Sequence, residues 1–167
     1  YQYWPSESAS GAPSLTYSSI NGTFYNPLII FRSASTTEVH SICLAIDSYN
    51  ATDPTVKLGA YTMSNPSTVG ALLGYSNPFP FAGQYVDWYF SGDETCFTFP
   101  TPVLLTANTF YAFGVDRSNN TTSNEDIVWY NSNNISDADV FTASSLTIPG
   151  TITSTPEKPY VRIYGVQ

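Results

Sequence analysis

The side chains in this sequence that could carry chemistry are few and widely spaced. A nucleophile and base pair would need an imidazole, and His40 is the single histidine. It falls in strand register with Ile42 and Leu44, which predicts a buried or edge structural residue rather than a base. Glycoside hydrolysis would need two facing acids. Asp87 alternates with Tyr85 and Tyr89, while Asp93-Glu94 and Glu125-Asp126 are adjacent pairs of the kind water solvates. Asp116 to Asn120 sets oxygen ligands at alternating positions, as calcium loops do. Thr121 stands where such a loop needs glycine, and Ile127 where it needs glutamate, so this is no EF-hand. One histidine and two distant cysteines lack zinc-site spacing. The expectation is a non-enzymatic protein with no catalytic set, no cofactor and no metal.

The two cysteines are Cys43 and Cys96. In the strand containing Cys43, Ile42, Leu44 and Ile46 share one face and Cys43 takes the other. Around Cys96, Phe97 and Phe99 share a face and Cys96 takes the other. Both thiols therefore point away from the bulkier apolar set. That placement fits a cross-strand or cross-sheet disulfide; the alternative is two buried free thiols. The remaining candidates are aromatic. Trp88, Trp129, Tyr85 and Tyr89 would stack on sugar rings if a flat face exposed them, and would be ordinary core if not.

Composition narrows the partners. The net charge is −8 with five Lys and Arg, which excludes phosphate-lined partners such as nucleic acid. No apolar run approaches the ~20 residues of a membrane span, so no membrane insertion is expected. Charged residues are 11% and aromatic residues 16% of the chain. Solubility then rests on hydroxyls and amides, as in extracellular β proteins. N-x-S/T acceptors stand at Asn21, Asn50, Asn119, Asn120 and Asn134, all in loop-like stretches that glycans could occupy on a secreted surface. A first residue that is Tyr1 rather than Met fits a processed chain.

The elements that must position these residues centre on Asp93–Asp116. Cys96, Phe97 and Phe99 lie in a first arm, Thr109 to Val115 in a second, and Leu105 to Thr109 joins them. Asn108 suits that corner, because its side chain tolerates unusual φ/ψ. Phe110 and Ala112 alternate with Tyr111, Phe113 and Val115, so large side chains occupy both faces, as in an interior strand. Further strands are expected at Leu28–Phe31, Glu38–Tyr49, Thr55–Met63, Val69–Tyr75, Gln84–Phe90, Asp126–Tyr130, within Val140–Ile148, and at Pro159–Val166. Asn77-Pro-Phe-Pro-Phe81 must be loop, since its prolines cannot donate to a ladder. About ten short strands with turn signals and no helix predict an all-β, antiparallel two-sheet sandwich, jelly-roll-like.

The chain divides into an aromatic tail and linker at 1–14 and one sandwich domain at 15–167. Tyr1, Tyr3 and Trp4 crowd the first four residues, followed by a Ser/Gly/Pro stretch of linker type. Leu15–Ile20 alternates weakly, like an added strand. The aromatic tail at 1–14 either folds back on its own sheet or is lent to a neighbouring copy, with Tyr1, Tyr3 and Trp4 as the assembly contacts.

The runs Val39-His-Ser-Ile-Cys-Leu-Ala-Ile46, Pro54-Thr-Val-Lys-Leu-Gly-Ala-Tyr61 and Pro102-Val-Leu-Leu-Thr-Ala-Asn-Thr-Phe-Tyr111 resemble the choice-of-anchor β-sandwich domains of prokaryotic secreted and cell-surface proteins. The resemblance covers about residues 21–131. It implies an exported sandwich in which the last of these runs forms a hairpin, and it carries no catalytic residue to transfer. The family's Pro-Gly after its third strand is replaced here by Ser67-Thr68.

Three functions fit. The first is a structural subunit of an extracellular or cell-surface filament, sheath or appendage, its copies joined through the N-terminal strand. The second is a carbohydrate-binding or adhesive module, with glycans as partners. The third is a viral jelly-roll coat or spike.

Overall fold

The structure, a computed structural model, describes residues 17–19, 26–49, 56–79, 86–87, 94–116, 126–132, 140–145, 148–154, 158–159 and 161–166. All regular structure among them is β, without a helix. The strands are β1 (Tyr17–Ser19), β2 (Asn26–Arg32), β3 (Thr37–Leu44), β4 (Ile46–Tyr49), β5 (Lys57–Asn65), β6 (Thr68–Tyr75), β7 (Val86–Asp87) and β8 (Thr95–Leu105). They continue as β9 (Phe110–Asp116), β10 (Asp126–Ser132), β11 (Val140–Ser145), β12 (Gly150–Thr151), β13 (Thr153–Ser154), β14 (Lys158–Pro159) and β15 (Val161–Val166).

β9 explains the rest. Its two neighbours are β2 and β5, so it is the interior strand its alternation predicts. Tyr111 and Phe113 enter one apolar cluster, while Ala112 and Phe110 enter another on the opposite face. β2 divides likewise, with Ile29 and Phe31 on one side and Leu28 and Ile30 on the other. A ladder buried on both faces needs two covers.

The first cover is a three-stranded sheet in the order β15-β3-β8. It contributes Val39, Ile42, Leu44, Phe97, Phe99 and Ile163 to the shared core. Phe79, from the Asn77–Phe81 loop, packs against this core with its ring 6.0 Å from that of Phe97. It plugs the edge between the layers; Phe81 lies outside the described residues. Asn77 N–H donates to Thr98 and Phe79 N–H to Val56, so the loop ties β8 to the start of β5.

The second cover comes from the ladder itself. Its order is β12-β6-β5-β9-β2-β11-β13, and its two end members are separated in the chain by Ile152 alone. The strip from Gly150 to Ser154 therefore touches both margins. Gly150 and Thr151 pair with Val69 and Thr68, and Thr153 and Ser154 pair with Ser144 and Ala143. The ladder curls until this strip bridges it, and Ile152 points into the enclosed cluster beside Met63, Val69 and Ala143. This curl is not part of the sequence-based expectation of an antiparallel two-sheet sandwich.

The remaining ladder runs β1-β10-β4-β7, with β14 also on β10. β3 and β4 are separated only by Ala45, in line with the single strand expected at Glu38–Tyr49.

Two expectations are corrected. The Leu105–Thr109 connection is not a hairpin, because β8 pairs with β3 whereas β9 pairs with β2 and β5. It is an arch between layers, and the β2–β3 connection is a second arch beside it. The two are hydrogen-bonded: Asn108 N–H to Ser33 O at 2.6 Å, and Ser33 N–H to Thr109 O at 3.1 Å. Asn108 takes a left-handed conformation, φ 59°, as its position in the corner predicts. His40 is the second correction. The β3–β8 register breaks between Val39 and Ser41, opposite Pro100 and Pro102. Prolines cannot donate to the ladder, so β8 bulges there. The break puts Val39 and Ile42, three residues apart, on the same buried side and leaves His40 exposed.

Ile152→Ala should destabilise the fold by about 2–5 kcal/mol, the range for truncating a buried isoleucine, read by urea unfolding. Asn108→Val should cost about 1–2 kcal/mol through its left-handed backbone, whereas Asn108→Gly should cost nothing.

Candidate functional site

The densest chemistry among the described residues surrounds the cysteines. β3 is the central strand of its sheet, and Cys43 is the register partner of both Arg162 on β15 and Cys96 on β8. The three therefore form one row. Alternation turns this row away from the core, since Thr95, Phe97 and Phe99 are buried while Cys96 is exposed.

Cys43 and Cys96 are disulfide-bonded, with Cα atoms 3.9 Å apart. The bond is cross-strand, within one sheet, which settles the choice left open by the sequence. It encloses 53 residues of sequence separation. Constraining an unfolded loop of that length contributes about 4 kcal/mol in the chain-entropy account. A disulfide of this kind fits a non-reducing environment.

Glu94 lies two residues before Cys96, on the same side of the chain. Its carboxylate accepts an ion-paired contact from Arg162 Nη1 at 2.8 Å. A carboxylate oxygen of Glu94 and both sulfurs lie within 4.8 Å of one another. The ion pair thus sits beside the disulfide, and Cys43 is only 1% exposed although it faces outward. Two sulfurs and a carboxylate resemble a metal donor set, but the thiolate is the form that binds metal, and these sulfurs are joined to each other. The arrangement is structural: a covalent link and an ion pair hold β15, β3 and β8 together. Burial pushes the Glu94 carboxyl above its ordinary range, and Arg162 opposes that shift without overcoming it.

No local sequence pattern marks Glu94 and Arg162 as partners, because their meeting depends on β15 joining β3. Only the alternation of Arg162 with Val161 and Ile163 signalled that it would face outward.

Asn21, Asn50, Asn119, Asn120 and Asn134 lie outside the described residues, as do Tyr1, Tyr3, Trp4, Tyr85, Trp88 and Tyr89. Trp129 is on β10, in register with Ile46 on one side and Ser18 on the other. Asp87 is in register with Asp47 along β7 and β4. No helix among the described residues is long and apolar enough to cross a membrane. No protein-family model, curated protein or solved structure matches this chain.

The Glu94 shift has a direct consequence for pH. A carboxyl whose pKa is higher in the folded than in the unfolded chain holds its proton more tightly when folded. Its contribution is therefore most favourable at low pH and declines as pH rises from the ordinary carboxylate value through the raised one. Glu94→Gln should flatten this part of the stability profile, measured by thermal melting across acidic pH.

Proposed function

We propose that this chain is a non-enzymatic structural subunit of an extracellular or cell-surface assembly, its copies joined by exchange of the N-terminal strand. The observation that carries this reading is the position of β1. Tyr17, Ser18 and Ser19 form a three-residue strand at the end of a ladder, paired to Tyr130, Trp129 and Val128 of β10. Six residues, 20–25, separate it from β2, which belongs to a different ladder.

Residues 1–14, which precede β1, are the segment lent to a neighbouring copy's sheet, and β1 is where the chain joins the edge of its own ladder. The sequence before it adds reach and apolar area: Tyr1, Tyr3 and Trp4, then a Ser/Gly/Pro linker. Donor and acceptor are different surfaces, so each copy that lends its strand still offers an edge to the next. Such a contact is head-to-tail and propagates into a fibre. The cross-strand disulfide is in keeping with a secreted location, and the low-charge, hydroxyl-rich composition with an extracellular surface. The resemblance to choice-of-anchor domains points the same way.

Removing residues 1–14 should leave a folded, soluble domain with an unchanged cooperative melt and no fibres by negative-stain electron microscopy. Fibres as abundant as those of the full chain would overturn the reading.

A further inference from the structure

β6 has an edge that the other described residues leave open. β12 pairs with it only at Thr68 and Val69, so from Gly70 to Gly74 its outer side has no neighbouring strand among the described residues. On its inner side the register with β5 shifts repeatedly, and Ala71 N–H donates to the Thr62 hydroxyl at 2.9 Å instead of to a ladder carbonyl. These bulges disturb the alternation. Ala71, Leu72 and Leu73 are exposed in succession, with Leu72 44% and Leu73 45% accessible.

An open apolar edge invites another strand, and proteins usually blunt such edges with charge, proline or cover. Two other outer strands are blunted. β8 carries Pro100 and Pro102, and β15 carries Arg162 in its ion pair with Glu94. β6 has no charge and no proline.

Charge indicates what covers it. The chain carries a net −8, so two copies repel each other overall. Between Asp53 and Asp87 there is no acidic residue, and Lys57 is the one base. That stretch supplies both β5 and β6, and β12 beside them is also uncharged. Lys57 itself lies over the Tyr75 ring, 3.9 Å from its centroid. Two copies can meet here without opposing like charges. The strand is also close to self-complementary: Gly70-Ala-Leu-Leu-Gly74 reads almost the same in both directions. Antiparallel pairing about a two-fold axis at Leu72 sets Leu72 against Leu72, Gly70 against Gly74 and Ala71 against Leu73.

We propose that β6 is an interface between two copies of this chain, paired edge to edge about a two-fold axis. The contact is isologous and closes after two copies, so it is distinct from strand exchange and does not rest on it. If exchange forms fibres, β6 joins them laterally in pairs.

The test uses the full chain with Leu72→Lys and Leu73→Lys, singly and together; neither leucine is core, so the melt should be unchanged. Leu73→Ser, without added charge, is the milder second variant. If the chain forms fibres, electron microscopy should show wild type as paired strands and the double lysine variant as single ones. If it does not, sedimentation should give a wild-type dimer and a variant whose association is weaker by roughly 30-fold or more. Wild type that is single-stranded or monomeric at every concentration, or a lysine variant that associates as wild type does, overturns the proposal. Loss of fibres on removing residues 1–14 with retention of dimers would separate the two contacts.

Discussion

A strand with large apolar side chains on both faces cannot border water on either. β9 is such a strand, and β2 beside it is another. Their exclusion from solvent sets the plan of the molecule. One face is met by a separate sheet, whose alternating residues enter the space between the layers. The other is met by the same ladder bending around until Gly150–Ser154 spans its margins. The two solutions differ in cost. A second sheet needs long strands and two connections that cross between layers, while the curl needs only a five-residue strip with one isoleucine directed inward.

The crossing connections explain why the two arches are hydrogen-bonded to each other. Each leaves one layer and enters the other, so neither can satisfy its backbone groups within a hairpin. They satisfy one another instead, through Ser33, Asn108 and Thr109, with Thr36 Oγ1 accepting from Ala107 N–H. Tyr111 closes the corner, its hydroxyl accepting from Thr106 N–H at 2.8 Å while its ring lies in the core. On the far side of the three-stranded sheet, the disulfide and the Glu94–Arg162 pair hold the three strands in register. The functional surfaces proposed for this chain are the places these devices do not reach: the terminal strand β1 and the outer side of β6.

Much of this was legible in the residues. The alternation in Phe110–Phe113 shows a strand buried on both faces, because period two assigns each side chain to a face without knowledge of its neighbours. Asn108 marks a corner because few residues accept a left-handed backbone. The cysteines stand opposite the apolar set in both of their strands, which is compatible with a bond between them. Less of the candidate site was legible. Glu94 and Arg162 are 68 residues apart by their numbering, and no local pattern joins them. His40 was assigned to the wrong face, since the bulge that exposes it is imposed by Pro100 and Pro102 on another strand.

By itself, then, the sequence determined the class of structure, the interior strand, the corner at Asn108 and which side of its strand each cysteine occupies. These follow from local chemistry: side-chain period, backbone preference and the missing proline donor. Tertiary structure alone decided that the disulfide joins neighbours within one sheet, that Arg162 meets Glu94 beside it, that the ladder curls shut over Ile152, and that β6 is left with an open edge. Each of these depends on which strands become neighbours. Pairing is a choice among distant segments, and it is made by the burial of the whole core rather than by any one stretch of chain.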